Sequence, residues 1–379
     1  MRTVYLDNNA TTPVDPRVLE KMLPYFLREY GNASSAYPFG WTAEMAVESA
    51  REHVAVLIGC DVDEVYFTSG ATESNNWFLR CFDREQRKEV ITSPLEHKSI
   101  LETLDDGELP VRFFPINPDG TVRLDSADTP IPGPHSIVTS MGVNNEIHSI
   151  LDIESMAAFC HEGGAVFHCD GAQAVGRIPI SVHQMKIDAL SFSGHKIYGP
   201  KGVGGLFVRR SHQARLRPML RGGGQEKAMR AGTLAVPLIV GLGEACRLAI
   251  LSLSVEAEAN RSRSARLLDK LRGHGLDVQV IGPSDLCKRQ PGSLCLEIEG
   301  LPANRLCECL PEIAISQGSA CNSRGPRSHV IQALGISAEQ SRRIVRLCFG
   351  RFNTDEDVDY VAGRISDVVK ANTVVQEVR

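Results

Sequence analysis

Lys196 stands at the tip of Ser-Phe-Ser-Gly-His-Lys-Ile-Tyr-Gly-Pro-Lys-Gly-Val-Gly (191–204). The apolar run 187–192 before it reads as the end of a buried strand, and a glycine-rich exit follows. A lysine held in a tight turn and partly desolvated is an amine nucleophile toward a carbonyl. Ser193 and His195 are residue types that grip a phosphate. A surface lysine in a turn satisfies the same local pattern, so the rest of the chain must decide. Cys321 is the second reactive candidate. It lies in Ser-Gln-Gly-Ser-Ala-Cys-Asn-Ser-Arg-Gly-Pro-Arg-Ser (316–328), a polar stretch that no packing argument requires. A thiol on such a loop, near Arg324 and Arg327, can be a reactive thiolate. The third candidate is Ser69-Gly70-Ala71-Thr72, directly after the strand-like run 64–68. The free N–H groups and positive dipole end of a helix's first turn attract an anion. Gly70 permits close backbone approach and Thr72 adds a hydroxyl; an ordinary capped helix start is the alternative.

The flanking elements must bring these groups together. Helices are expected at 16–30 and 40–59, and a helix ends near 155–161. Strands are expected at 64–68, 90–93, 136–141, 166–170, 187–193 and 205–209. Short apolar runs separated by helices predict an α/β fold with a parallel, doubly wound sheet covered on both faces. Ligands in such sheets gather at the carboxyl ends of the strands. Thr72, His97, Asn145, Asp170, Gln173, Ser193, His195 and Lys196 all fall just past expected strand ends. A long helical region, 236–274, has a polar middle (256–263) suited to bridging two lobes. Strands at 278–281, 292–299 and 344–349, with helices at 328–334 and 355–369, predict a smaller α+β lobe.

Composition narrows the class. The chain has 379 residues, 42% hydrophobic and 23% charged, as in an ordinary globular protein. A net charge of −5 argues against a nucleic-acid-coating protein, so no strong direct nucleic-acid binding is expected. No signal peptide is read at the N-terminus, and no apolar run is expected to span a membrane. The 11 cysteines suggest reduced thiols in a cytoplasm. Cys60, Cys81, Cys160, Cys169, Cys246, Cys295 and Cys348 sit among apolar neighbours and read as core fillers. Cys307-Glu308-Cys309 lacks a second pair, and no metal site is expected.

Taken together, Leu-Asp-Asn-Asn-Ala-Thr-Thr (6–12), Gly-Asn-Ala-Ser-Ser (31–35), Thr-Ser-Gly-Ala-Thr-Glu-Ser (68–74), Glu-His-Lys-Ser (96–99), Val-Asn-Asn-Glu (143–146), Asp-Gly-Ala-Gln (170–173), Ser-Phe-Ser-Gly-His-Lys (191–196), Met-Arg-Ala-Gly-Thr (229–233) and Gly-Ser-Ala-Cys (318–321) carry a family resemblance. The chain resembles the pyridoxal-phosphate-dependent cysteine desulfurases of the class V aminotransferase superfamily, over 6–361. The resemblance implies the type I fold of pyridoxal-phosphate enzymes, with a large domain at 15–250. A small domain, 1–14 with 251–379, would carry the cysteine loop.

The roles follow from the resemblance. Lys196 would hold pyridoxal 5'-phosphate through its amine and move the substrate's Cα proton. Asp170 would pair with the pyridine nitrogen, His97 would stack on the ring, and Gln173 would bond its phenolic oxygen. Ala71, Thr72, Ser193 and His195 would hold the phosphate. Thr233 would reach the phosphate in a neighbouring subunit, which implies a homodimer. Asn145 would serve cofactor and substrate, and Arg346 would clamp the carboxylate of L-cysteine, with Arg351 its competitor. The Cys321 thiolate would take the substrate sulfur as a persulfide, releasing alanine, and pass it to a sulfur-acceptor protein.

Tyr37 and Gln225 stand where these relatives often have histidine, and the loop after Cys321 reads one residue short. The chain stops soon after its last helix, which puts an iron–sulfur scaffold partner in doubt. A sulfur donor to tRNA thiolation or DNA phosphorothioate modification is the specialised reading. An Fe-S assembly donor, a selenocysteine lyase and a non-catalytic scaffold are the alternatives.

Overall fold

A computed structural model describes residues 2–317 and 328–377. After the short strand β1 (Val4–Tyr5) come α1 (Pro16–Leu27) and α2 (Pro38–Ile58). Asp15 caps α1 by accepting the Arg17 N–H, and Pro16 takes the first helical position, where a missing N–H costs nothing. The alternating part follows: β2 (Val65–Thr68), α3 (Ala71–Cys81), β3 (Glu89–Thr92), α4 (Lys98–Leu104), β4 (Val111–Phe113), β5 (Ser136–Met141), α5 (Ile153–Glu162), β6 (Val166–Asp170), β7 (Ala189–Ser193) and β8 (Gly204–Val208). The long helix α6 (Val236–Gly273) then leads to β9 (Val278–Val280), β10 (Ser293–Ile298), α7 (Ala303–Cys309), β11 (Ile313–Ala314), α8 (His329–Ala333), α9 (Ala338–Ser341), β12 (Ile344–Cys348) and α10 (Asp355–Glu377).

Strands β2 to β8 form one seven-stranded sheet in the order β2-β8-β7-β6-β5-β3-β4. β4, β3, β5, β6 and β7 run parallel. Only β8 is reversed, pairing antiparallel with both β7 and β2. The carboxyl ends of β2, β3, β5, β6 and β7 therefore share one edge. Alternating side chains face opposite layers. Phe167, Leu190 and Phe207 pack under α2 and the first half of α6. Val166, Ala189, Leu206 and Val208 pack under α3, against Phe78 and Phe82. The second core is separate. Val4 and Leu6 join Leu294, Leu296, Val345, Leu347 and Phe349 and the inner faces of α6 and α10. It is built on the antiparallel sheet β12-β10-β9 and the parallel pair β1-β11. α6 serves both cores, through Leu242 and Ala245 in one and Leu267 and Leu271 in the other.

Four expectations need correction. α6 contains a window apolar and long enough to cross a bilayer by length and composition, contrary to the sequence reading; half of that window is buried inside the protein. α10 runs to Glu377 rather than 369. β4 was not anticipated, because its Arg112 and Phe113 are exposed and leave no buried pattern to detect. Cys60 is only partly buried, whereas the other six cysteines read as core fillers are buried.

Candidate active site

Five strand ends deliver the site. β2 runs through Gly70 into Ala71 and Thr72, and β3 leads to His97, the N-cap of α4. The turn after β5 carries Asn145, β6 ends in Asp170, and β7 ends in Ser193 just before the single helical turn Gly194–Lys196. Arg346 arrives from β12. These residues, with Gln173, line one cavity of about 300 Å³. A neighbouring cavity of about 430 Å³ shares Met141 but holds neither Lys196 nor Asp170.

Lys196 is half-buried. Its Nζ donates to the backbone oxygens of Asn9 at 2.6 Å and Ala10 at 2.9 Å. Burial first, and then the Arg346 and Arg177 charges, lower its pKa to about 8. The amine is thus about one-tenth neutral and nucleophilic at pH 7, far more than an exposed lysine. Its turn is held from behind by Arg177, which donates through Nε to the Lys196 carbonyl at 2.9 Å and through Nη2 to the Asn8 carbonyl at 3.0 Å. Asp170 is buried and accepts from Asn75 Nδ2 at 2.7 Å and from the Ala172 N–H at 2.9 Å. Gln173 donates through Nε2 to the Asn9 carbonyl at 2.8 Å, while its Oε1 is buried without a partner.

The anion end is open. The Ala71 N–H, first in α3, donates to Ser193 Oγ at 2.7 Å. Gly70 lies at φ 153°, and a Cβ on Gly204 would come within 2.7 Å of its Cα, so backbone packs on backbone there. A groove of about 360 Å³ continues from the cavity past Thr11, Ser69, Thr72, His195 and Lys201. His195 contacts Thr11 Oγ1 through Nδ1 at 3.1 Å. Burial and the Lys196 and Lys201 charges lower its pKa to about 4, so it faces an anion as a neutral imidazole.

His97 Nδ1 accepts the Ser99 N–H at 3.1 Å, which leaves the proton of the neutral ring on Nε2. Desolvation lowers its pKa, against the opposing pull of Asp170. The two candidate arginines separate cleanly. Arg346 is buried in the cavity wall, donates to the Asn145 carbonyl at 2.9 Å and to Asp7 Oδ1 at 2.7 Å, and has a buried Nε without a partner. Arg351 is held by Asp15 at 2.8 Å and Glu256 at 2.7 Å and lines no part of this cavity. Thr233 is exposed and also lies outside it. Cys321, with Arg324 and Arg327, falls outside the described residues.

Several residues of the site had no assigned role from sequence. Asn9 receives the Lys196 amine, Asn75 and Arg177 hold Asp170 and the lysine turn, and Lys201 and His329 line the groove and the cavity. Asn75 alone carried a usable signal, since it stands one helical turn after Thr72.

The donor set suits a phosphorylated pyridine aldehyde: a reactive amine, a carboxylate, an orphaned amide oxygen and a helix N-terminus with a nearby lysine. The comparisons agree. The family model for aminotransferase class-V matches residues 4–361. Cysteine desulfurase IscS of Rickettsia akari is 40% identical over 370 residues, covering 96% of this chain and 90% of that protein. A solved NifS-like protein superposes with a TM-score of 0.87 at 34% identity, covering 98% of this chain and 100% of the other. The structure of SspA in complex with cysteine gives 0.79 at 32% identity, covering 93% and 100%.

Proposed function

Because this chain belongs to the aminotransferase class-V family, we propose that it is a pyridoxal-phosphate-dependent cysteine desulfurase that turns L-cysteine into L-alanine and passes the sulfur to an acceptor protein. One observation carries the reading. The half-buried Lys196 amine, with its pKa lowered to about 8, faces a cavity bounded by Asp170, the α3 N-terminus and Arg346.

Lys196 would hold pyridoxal phosphate and afterwards carry the substrate's Cα proton. Asp170, kept in place by Asn75 and Ala172, would partner the ring nitrogen. Ala71, Thr72, Ser193 and His195 would hold the phosphate, with His97 over the ring. When bound, the cofactor supplies an electron sink next to the substrate's reacting carbons. Arg346 would take the substrate carboxylate through the N–H donors that Asp7 and Asn145 leave unspent. The Cys321 thiolate would then attack the substrate sulfur: an S–S bond forms, the substrate C–S bond breaks, alanine leaves and a persulfide stays on Cys321. Thr233, exposed and outside the cavity of its own chain, suits a role in the site of a second copy. Exposed Phe26, Leu27, Tyr30, Phe39, Trp41 and Met45 on and between α1 and α2 offer that copy an apolar face. The free cysteines suit a reducing compartment such as the cytoplasm.

Cys321→Ser tests the reading. The variant should keep the yellow of bound cofactor and lose sulfide release from L-cysteine, whereas Lys196→Ala should lose the colour. Protein that stays colourless with pyridoxal phosphate, or a serine variant that still desulfurates, would overturn it.

A further inference from the structure

Asp7 lies in the N-terminal stretch that runs beside β12. It bridges to Cys348, and the Leu6 carbonyl accepts the Cys348 N–H at 2.6 Å. That register sets the Asp7 carboxylate against the side chain of Arg346, two residues earlier on β12, with Oδ1 to Nη2 at 2.7 Å. The guanidinium is almost fully buried, and the Asn145 carbonyl takes Nη1. Nε has no partner. A guanidinium is a planar fork, and Nε and Nη2 form one edge of it. Asp7 and Asn145 fix the terminal nitrogens, Nε keeps an unspent N–H, and Arg346 lines the cavity.

The same stretch also holds the amine. Two residues after Asp7, the Asn9 carbonyl accepts from Lys196 Nζ at 2.6 Å and from Gln173 at 2.8 Å. Asn9 is pinned in turn through its side chain to His148 and Ser293, each at 3.1 Å. Residues 7–9 therefore form a rigid ruler between the amine and the cation.

We propose that Asp7 is a positioning residue for the substrate: it aims the Arg346 fork so that its remaining N–H donors receive an amino acid's carboxylate at a fixed distance from Lys196. The side chain does not line the cavity, so it acts through Arg346 and not by touching substrate. The identity of the ligand rests on the desulfurase reading; the aim of the fork does not.

The test uses the full-length protein with pyridoxal phosphate bound and titrates it calorimetrically with 3-sulfanylpropanoate, a cysteine lacking the amine, and with its methyl ester. Asp7→Ala should weaken binding of the acid about tenfold, the loss of one well-aimed charge-assisted contact. Asp7→Asn keeps an acceptor at Oδ1 and should bind the acid within about threefold of wild type. The ester should bind all three proteins alike. For L-cysteine turnover the alanine variant should raise KM with kcat nearly unchanged. Wild-type affinity in Asp7→Ala overturns the proposal, and so does an equal loss in Asp7→Asn. A parallel loss for the ester does the same, because it reports a disturbed fold. Wild-type protein that binds no acid and releases no sulfide refutes the desulfurase reading instead.

Discussion

Lys196 and Arg346 share one desolvated wall, and each shapes what the other can do. Arg346 is the largest charge lowering the Lys196 pKa, after burial itself. An amine titrating near 8 is mostly protonated at pH 6 and mostly neutral at pH 9. Pyridoxal phosphate uptake by cofactor-free protein should therefore climb about tenfold per pH unit below 8 and level off above it. Stopped-flow absorbance would read this, and a flat profile would contradict the lowered pKa. The two arginines should fail in different ways. Arg346→Ala should reduce kcat/KM for L-cysteine by about 1.5–3 kcal/mol, the worth of a hydrogen bond to a charged group, and should also lower the melting temperature, because Asp7 and the Asn145 carbonyl lose a buried partner. Arg351 bonds Asp15 and Glu256 in a largely buried site. Arg351→Ala should cost about 1–3 kcal/mol in urea denaturation, because Glu256 loses its partner while Asp15 keeps Arg17.

At the scale of elements, the 221–233 loop has an unusual fastening. Glu226, Lys227 and Ala228 all have positive φ, at 48°, 58° and 62°, and none is glycine. Such residues cost about 1–3 kcal/mol each and persist only when the surroundings over-determine them. The fastening is the buried Glu226 carboxylate, which accepts from Arg51 at 2.8 and 2.9 Å and from the Phe67 N–H of β2 at 2.7 Å. Further on, Arg230 bonds Glu73 in the first turn of α3 at 2.8 Å. The loop that carries Thr233 is thus tied to the helix that starts at the anion end. Glu226→Ala should destabilise by about 3–5 kcal/mol in urea, because the buried Arg51 then keeps only the exposed Glu48 as its ion partner. Limited trypsin digestion should then cut faster at Lys227 or Arg230 than in the wild type. Glu226→Gln should fall between the two.

Across the whole molecule, two cores meet along α6, and several histidines are locked inside as neutral rings. Burial lowers the pKa of His168 to about 3, and His195 titrates at about 4. Burial also pushes His148 well below its usual range. In the unfolded chain these rings titrate near 6.5. Below that pH the unfolded state binds more protons, so stability is intact above about 6.5 and declines as pH falls toward 4. The melting temperature should drop between pH 7 and pH 5, and His168→Asn should flatten the drop. A melting temperature independent of pH over that range would refute the assignment.

The sequence by itself determined the alternation of strand and helix and the polar residues at the strand ends. Each strand end is a local signal: an apolar run, then a polar turn. The same locality placed Lys196, Asp170, His97 and Thr72 on one edge, because parallel strands put their carboxyl ends together. It favoured Arg346 over Arg351 through the family resemblance and strand alternation, since the two lie only five residues apart, one in β12 and one just after it. Only packing shows one facing the cavity and the other paired with Asp15 and Glu256. It could not assign Asp7 and Asn9. Their partners Arg346 and Lys196 lie 339 and 187 residues away, and a contact across that separation exists only once the second core folds the N-terminus back beside β12.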